Sequence, residues 1–167
     1  MSKITNEPKN EEQIVVEVRN AIEHRATWMY LLLDEARKRG LDWDDFARAA
    51  INRMGCIHGK NFQSMVDDKS SLKEFSEVFG VGTGRKVFEM DVLEADEEKY
   101  YLDFHYCPLV SAWQKLGLPD EEIEKLCDIA MDGDRGIASQ FPDYEFTLGD
   151  TIAEGHPACQ IRFDKKK

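Results

Sequence analysis

From Ile14 onward the apolar positions fall three and four apart, through Val18, Ala21, Ile22, Trp28, Met29, Leu32, Leu33 and Ala36. That period predicts an amphipathic helix over 11–39. Gly40 stands where a left-handed C-terminal cap is expected. Asp42, with Asp45 three residues later, opens a second predicted helix over 42–66, with an apolar stripe of Phe46, Ala49, Ala50, Ile57 and Met65. Gly55 and Gly59 share one face of that helix. Each weakens it by about 1 kcal/mol relative to alanine, so close packing or the approach of a ligand must compensate, and packing is the simpler reading.

The periodicity changes near Val87. Before it, Ser71 and Glu74 form a capping-box pair for a short helix ending at Gly80, and "GVGTGRK" reads as a flexible connection. Its three glycines lack a preceding strand and the Lys-Ser/Thr ending of a phosphate loop. After it, residues 86–107 alternate in two segments around a charged turn at Asp96 and Glu97, which predicts a hairpin. Pro108 begins a short helix through Trp113 and Leu116, Gly117 breaks it, and Pro119 leads into a longer helix with Ile123, Leu126, Cys127, Ala130 and Met131 as its buried stripe. "MDGDRG" reads as that helix's end. Residues 143–163 predict a second hairpin turning at Gly155 to Pro157, with Cys159, Ile161 and Phe163 facing inward. The expectation is a single α+β domain over 11–164, with N-terminal helices packed on an antiparallel sheet built from two hairpins and a helical segment between them. Residues 1–10 are expected to form a disordered arm, and 165–167 a tail.

Charge narrows the function classes. The chain has 167 residues, 33 acidic against 22 basic, for a formal charge of −11. Such a surface repels phosphate backbones and anionic lipid, so neither nucleic acid nor a membrane is expected as a partner. No apolar run approaches the roughly 20 residues of a membrane span, and the polar opening "MSKITNEPKNEEQ" lacks a secretion signal's apolar core, so a cytoplasmic location is expected. Cys56, Cys107, Cys127 and Cys159 are scattered without a pairing motif, as expected of free thiols or ligands in a reducing compartment.

Candidate chemistry gathers in "YYLDFHYCPLVSAW". Strand alternation puts Leu102, Phe104 and Tyr106 on one face and Asp103, His105 and Cys107 on the other. Cys107 would be the nucleophile, His105 would favour its thiolate, and Asp103 would orient the histidine. Positions two apart on a strand lie roughly 6 to 7 Å apart, so contact needs the side chains to lean. The plainer reading is a surface histidine and a strand-capping cysteine.

The segment "FHYCPLVSAWQKLGLPDEEIEKLCDIAMDGDRGIA" and the closing "LGDTIAEGHPACQIRF" together resemble the L-2-amino-thiazoline-4-carboxylic acid hydrolase family. The resemblance rests on Cys107-Pro108, Trp113, Gly117, Cys127-Asp128, Gly133-Asp134 and Gly136, and spans roughly residues 80–163. The closing hairpin is also faintly similar to the end of 4-vinyl reductase type ligand-binding domains, which implies a binding fold without chemistry.

The family resemblance implies hydrolysis of a cyclic isothiourea, opening the thiazoline ring toward N-carbamoyl-L-cysteine. That reaction needs a nucleophile, a proton donor for the leaving thiolate, and anchors for an amidine and a carboxylate. Cys107, His105 and Asp128 are the candidate catalytic residues. Asp103, Trp113, Asp134, Arg135 and Arg162 are candidates for substrate binding, with a carboxylate suited to an amidinium and an arginine to a carboxylate. Cys127 and Cys159 read first as core residues. The resemblance groups them with Cys107, which gives either a three-thiol pocket without a cofactor or a single zinc or iron ion held by Cys107, Cys127 and Cys159. Cys56 and His58, two apart on a helix, face different ways. His24 reads as structural. The expected partner is a small-molecule substrate, self-association stays open, and a non-catalytic small-ligand-binding domain is the alternative of a different class.

Overall fold

The alternating segments form one antiparallel sheet, and the 3.6-residue segments form helices against it. The structure, a computed structural model, describes residues 2–167. In chain order it comprises α1 (Gln13–Lys38), α2 (Trp43–Gln63), α3 (Leu72–Ser76), α4 (Gly82–Val87), β1 (Met90–Ala95), β2 (Lys99–Phe104), α5 (Pro108–Lys115), α6 (Asp120–Ala130), α7 (Asp132–Ala138), β3 (Tyr144–Leu148) and β4 (Cys159–Lys165), with a 3-10 turn at Ile152–Glu154. The sheet order is β1-β2-β4-β3. Two antiparallel hairpins therefore meet along β2 and β4, with Tyr100 opposite Phe163 and Leu102 opposite Ile161. The first hairpin turns on Asp96, whose carboxylate accepts from the amides of Glu98 and Lys99 at 2.8 Å each. This is the α+β class that the sequence predicts.

Two buried clusters fill the domain. One, around Phe75, Tyr100, Phe141 and Phe163, lies under the sheet. The other, around Trp113, Ile123, Leu126 and Ile152, lies among the helices and includes Cys127 and Cys159. Phe104 packs against both. Helix α1 rests on α5 and α4, α2 rests on α7, and Phe62 and Val66 reach from the end of α2 toward the sheet cluster.

The glycines of α2 are a packing device. A Cβ on Gly55 would stand 2.0 Å from the Gly133 carbonyl oxygen, and one on Gly136 would stand 2.2 Å from that of Asn52. Gly59 likewise faces the Ile137 carbonyl at 2.8 Å. Helices α2 and α7 thus meet backbone to backbone, a separation that any side chain would prevent.

Five local expectations change. The inward line of α1 is Val15, Arg19, Ala26 and Leu33, while Ile14, Trp28 and Leu32 are 53%, 63% and 67% exposed. A buried arginine sets this rotation: Arg19 pairs with Glu89 at 2.9 Å, donates to the Val87 carbonyl at 2.9 Å and lies over the Tyr106 ring at 4.4 Å. In α2 the buried residues are Trp43, Ala47, Gly55 and Gly59, Phe46 and Ile57 face outward, and Met65 lies exposed just past the end of the helix. "GVGTGRK" is not an open connection but forms α4, and "MDGDRG" does not end a helix but starts α7. Residues 2–10, expected as a loose arm, are tied down: Ile4 is buried, the Lys3 amide donates to Asp120 at 2.7 Å, and Asn6 is bonded to Cys107. Met1 lies outside the described residues.

Candidate active site

Strand β2 ends at Phe104, and the alternation ends with it. The next residues still pair, His105 and Tyr106 donating to the carbonyls of Glu89 and Phe88 at 3.2 and 3.1 Å. Glu89, however, has φ +50°, a left-handed conformation uncommon outside glycine, and the β1–β2 register begins only at Met90 opposite Phe104. The chain then turns into α5, with Cys107 as N-cap and Pro108 in the first turn. Cys107 consequently faces the same interior as Phe104, not the side of Asp103.

That interior holds a cavity of about 470 Å³, lined by Cys107, Cys127 and Cys159 together with Trp113, Asp134, Arg25 and His58, and otherwise mainly by aromatic and aliphatic side chains. The three cysteines, far apart in sequence, therefore face one space. Among the described residues no group of three His, Cys, Asp or Glu side chains stands close enough to hold a metal ion. The thiols share a cavity wall and do not form a coordination set.

The three thiols differ. Burial pushes Cys107 up, while the Val110 and Leu109 amides at the α5 N-terminus pull it back down, without closing a capping hydrogen bond. Cys127 is driven well above the ordinary thiol range by burial. Cys159 is pushed up to about 12 by burial, and its sulfur accepts the Ile152 amide at 3.3 Å. Cys107 thus faces two amides of a helix N-terminus, where Cys159 has the single Ile152 amide.

Asp134 sits in the first turn of α7, held by the glycine contacts with α2. It has no ion pair among the described residues, and burial lifts its carboxyl to about 6. Its accessible surface faces the cavity. Its charge raises the Cys107 thiol and that of Arg25 lowers it, which places both within electrostatic reach of the sulfur. Trp113 is fully buried and donates its indole N–H to the Ala26 carbonyl at 3.2 Å, fixing one wall.

The other sequence candidates lie elsewhere. His105 does not line the cavity; its Nε2 is 3.0 Å from Asp91 and it borders a surface hollow with Lys86 and Glu89. Asp103 and Arg162 engage each other at 2.6 Å across β2 and β4. Asp128 bonds to Arg135 and to Arg48, each at 2.7 Å. Burial pushes Asp128 up, but the two guanidinium groups outweigh it and hold the carboxyl below the usual range. Asp128, Arg48 and Arg135 border a charged cleft of about 530 Å³, in which Asp128, with Asp132 and Asp44, already pairs the two arginines. The smaller, drier cavity with an unpaired Asp134 is the better candidate site.

Arg25 escaped the sequence reading, because on an amphipathic helix it looks like a solvated charge, and His58 enters that reading only for a joint role with Cys56. Asn6 escaped too, lying in a segment without periodicity.

Among the described residues, no helix is long and apolar enough to cross a membrane. The sequence pattern of the L-2-amino-thiazoline-4-carboxylic acid hydrolase family matches residues 19–163. No curated protein matches. Among solved structures, a trafficking protein particle complex subunit 3 from Naegleria fowleri, determined covalently bound to palmitic acid, is similar with a TM-score of 0.56 and 18% identity, over 87% of this chain and 95% of that one. That likeness is one of fold.

Proposed function

The chain belongs to the L-2-amino-thiazoline-4-carboxylic acid hydrolase family, and from that membership we propose that it opens a small cyclic isothiourea such as L-2-amino-thiazoline-4-carboxylate at the cavity bordered by Cys107. The observation that carries the reading is the convergence of a thiol, an unpaired carboxyl and an arginine on one space: Cys107, Asp134 and Arg25.

The chemistry balances with these groups. Cys107 Sγ bonds to the ring carbon between sulfur and nitrogen, and its proton passes to Asp134. The bond from that carbon to the ring sulfur breaks, and Asp134 returns the proton to the departing sulfur. Water then adds to the carbon of the enzyme-bound isothiourea, the carbon–Sγ bond breaks, and N-carbamoyl-cysteine leaves with the thiol restored. Arg25 takes the substrate carboxylate, and the amidine nitrogens face Asp134. Substrate charge in so dry a space acts strongly on the thiol, which offsets part of the burial that holds Cys107 protonated.

The test is ring opening followed by mass spectrometry of product and protein. Wild type should release the ureido acid and show a transient adduct on Cys107, and Cys107→Ser should lose at least about a thousandfold in turnover. Near wild-type turnover by that variant would remove the nucleophile assignment.

A second reading, a domain that holds a ligand without turning it over, is favoured by the predominantly apolar cavity wall and by the palmitic acid bound covalently to the neighbour of similar fold. Saturable ligand binding with no ring opening by any thiazoline would select it.

A further inference from the structure

The cavity is two-sided. Its thiol end belongs to the helical core cluster, with Cys107, Cys127 and Cys159 beside Trp113. Its other end runs along the sheet-side cluster, where Phe62, Val78, Phe79, Phe88, Met90 and Phe104 form a wall without a charged group among them. Several rings of this wall touch: Phe62 and Phe79 have centroids 5.9 Å apart, and Phe88 and Phe104 5.6 Å apart. These side chains all line the one cavity, so the wall presents it with apolar surface.

Size points the same way. L-2-Amino-thiazoline-4-carboxylate has about nine non-hydrogen atoms; allowing each the ~30 Å³ that a water occupies in the liquid, the ring acid fills little more than half of this space. The cavity measures about 470 Å³. A hollow of about 280 Å³ between α1 and α2 adjoins it, sharing Arg25, His58, Leu109, Ala130, Asp134 and Ile137 as lining residues. A bare ring acid seated at Cys107 would leave the apolar wall facing water. A substrate with an apolar extension would bury that wall and use the energy to hold the ring against the thiol.

We propose that the ring substrate carries an apolar substituent of several carbons, which lies along the wall from Phe104 to Val78 while the ring sits between Cys107 and Asp134. The proposal rests on the hydrolase reading for the ring and on the wall alone for the substituent, so the two can fail separately.

The test uses wild-type protein and 2-aminothiazole-4-carboxylates bearing hydrogen, methyl, propyl or pentyl at ring carbon 5. Their aromatic rings resist opening, so calorimetry reads binding alone. Affinity should rise about fourfold per added methylene through the series. Val78→Trp, which fills part of the wall, should shrink that gain, and Phe88→Ala, which extends it, should move the best chain to greater length. In parallel, the matching thiazolines are offered as substrates, and kcat/KM should follow the same order. A flat or falling affinity series overturns the proposal whether or not the parent ring is opened. A rising series without turnover keeps the substituent site and sinks the ring-opening reading instead.

Discussion

Asn6 holds the backbone of Cys107 from 101 positions away: its side-chain amide donates to the Cys107 carbonyl, and its side-chain oxygen accepts from the Cys107 amide, both at 2.9 Å. The pair fixes the residue from which α5 starts, and with it the direction of the thiol. Asn6→Ala should cost about 1 to 3 kcal/mol in urea denaturation, because a partly buried donor and acceptor lose their partner. It should also lower kcat about tenfold, as the thiol loses its fixed position. Unchanged stability together with an unchanged Cys107 alkylation rate would remove Asn6 from any positioning role.

Asp134 predicts a pH dependence of stability. Its folded carboxyl is raised to about 6, above the ordinary aspartate value of 3.8, because burial disfavours the charge. The folded state therefore holds the proton more tightly than the unfolded one. Stability should fall as pH rises from about 4 to about 6 and stay lowered above that. Asp134→Asn should raise stability above pH 6 by on the order of 2 to 3 kcal/mol and flatten this part of the profile. Chemical denaturation between pH 4 and pH 8 checks both.

The same group predicts the rate profile. Asp134 must be ionised to accept the thiol proton, so kcat/KM should climb through about pH 6. Because burial raises Cys107, the rate should not level off at neutral pH but rise again on the alkaline side. Loss of the acidic limb in Asp134→Asn, with the alkaline limb kept, is the expected signature. An acidic limb that survives the substitution would belong to another group.

His105 and Arg25 separate surface from cavity. His105→Ala breaks only an exposed contact with Asp91 and should change kcat/KM by no more than about twofold. Arg25→Ala removes the cationic anchor at the cavity and should raise KM by about 10- to 100-fold with a smaller effect on kcat. Steady-state kinetics on the two variants decide between the cavity and the strand row as the site.

The glycine seam can be tested against a permissive glycine. Gly55→Ala places a methyl 2.0 Å from the Gly133 carbonyl oxygen, so α2 and α7 must separate, and the loss should reach about 1 to 3 kcal/mol or more. Gly84→Ala in α4 meets nothing within 4 Å and should be neutral or stabilising by about 0.4 to 1 kcal/mol. Thermal denaturation of the two variants gives opposite signs.

What the sequence revealed follows from which forces leave a period. The hairpins are legible because Tyr100, Leu102, Ile161 and Phe163 bury every second residue. The caps at Gly40 and Gly117 are legible because φ of +71° and +73° favours glycine. The face of α1 is not, because buried Arg19 takes a position that hydrophobic counting assigns to solvent. The polar row of Asp103, His105 and Cys107 dissolved for a related reason: alternation describes a strand only while it is paired, and the β1–β2 register stops at Met90 and Phe104, beside Glu89 at φ +50°. The gathering of Cys107, Cys127 and Cys159 was legible through the family resemblance. Asp134 was also named in advance, whereas its burial and the proximity of Arg25 depend on how α7 and α1 are packed.

The N-terminal strap imposes an order of events during synthesis. Ile4 and Asn6 leave the ribosome well before α5 and α6, yet Ile4 packs in the cluster built around Trp113 and Ile123, and Asn6 bonds to Cys107. This segment must therefore wait until α5 and α6 have followed it out, and α5 acquires its clasp only then. Such long-range closure is slow and comes late. A nascent chain of this protein would thus complete its thiol-bearing cavity only after β4 has been made, with the Ile4–Asn6 strap docking late.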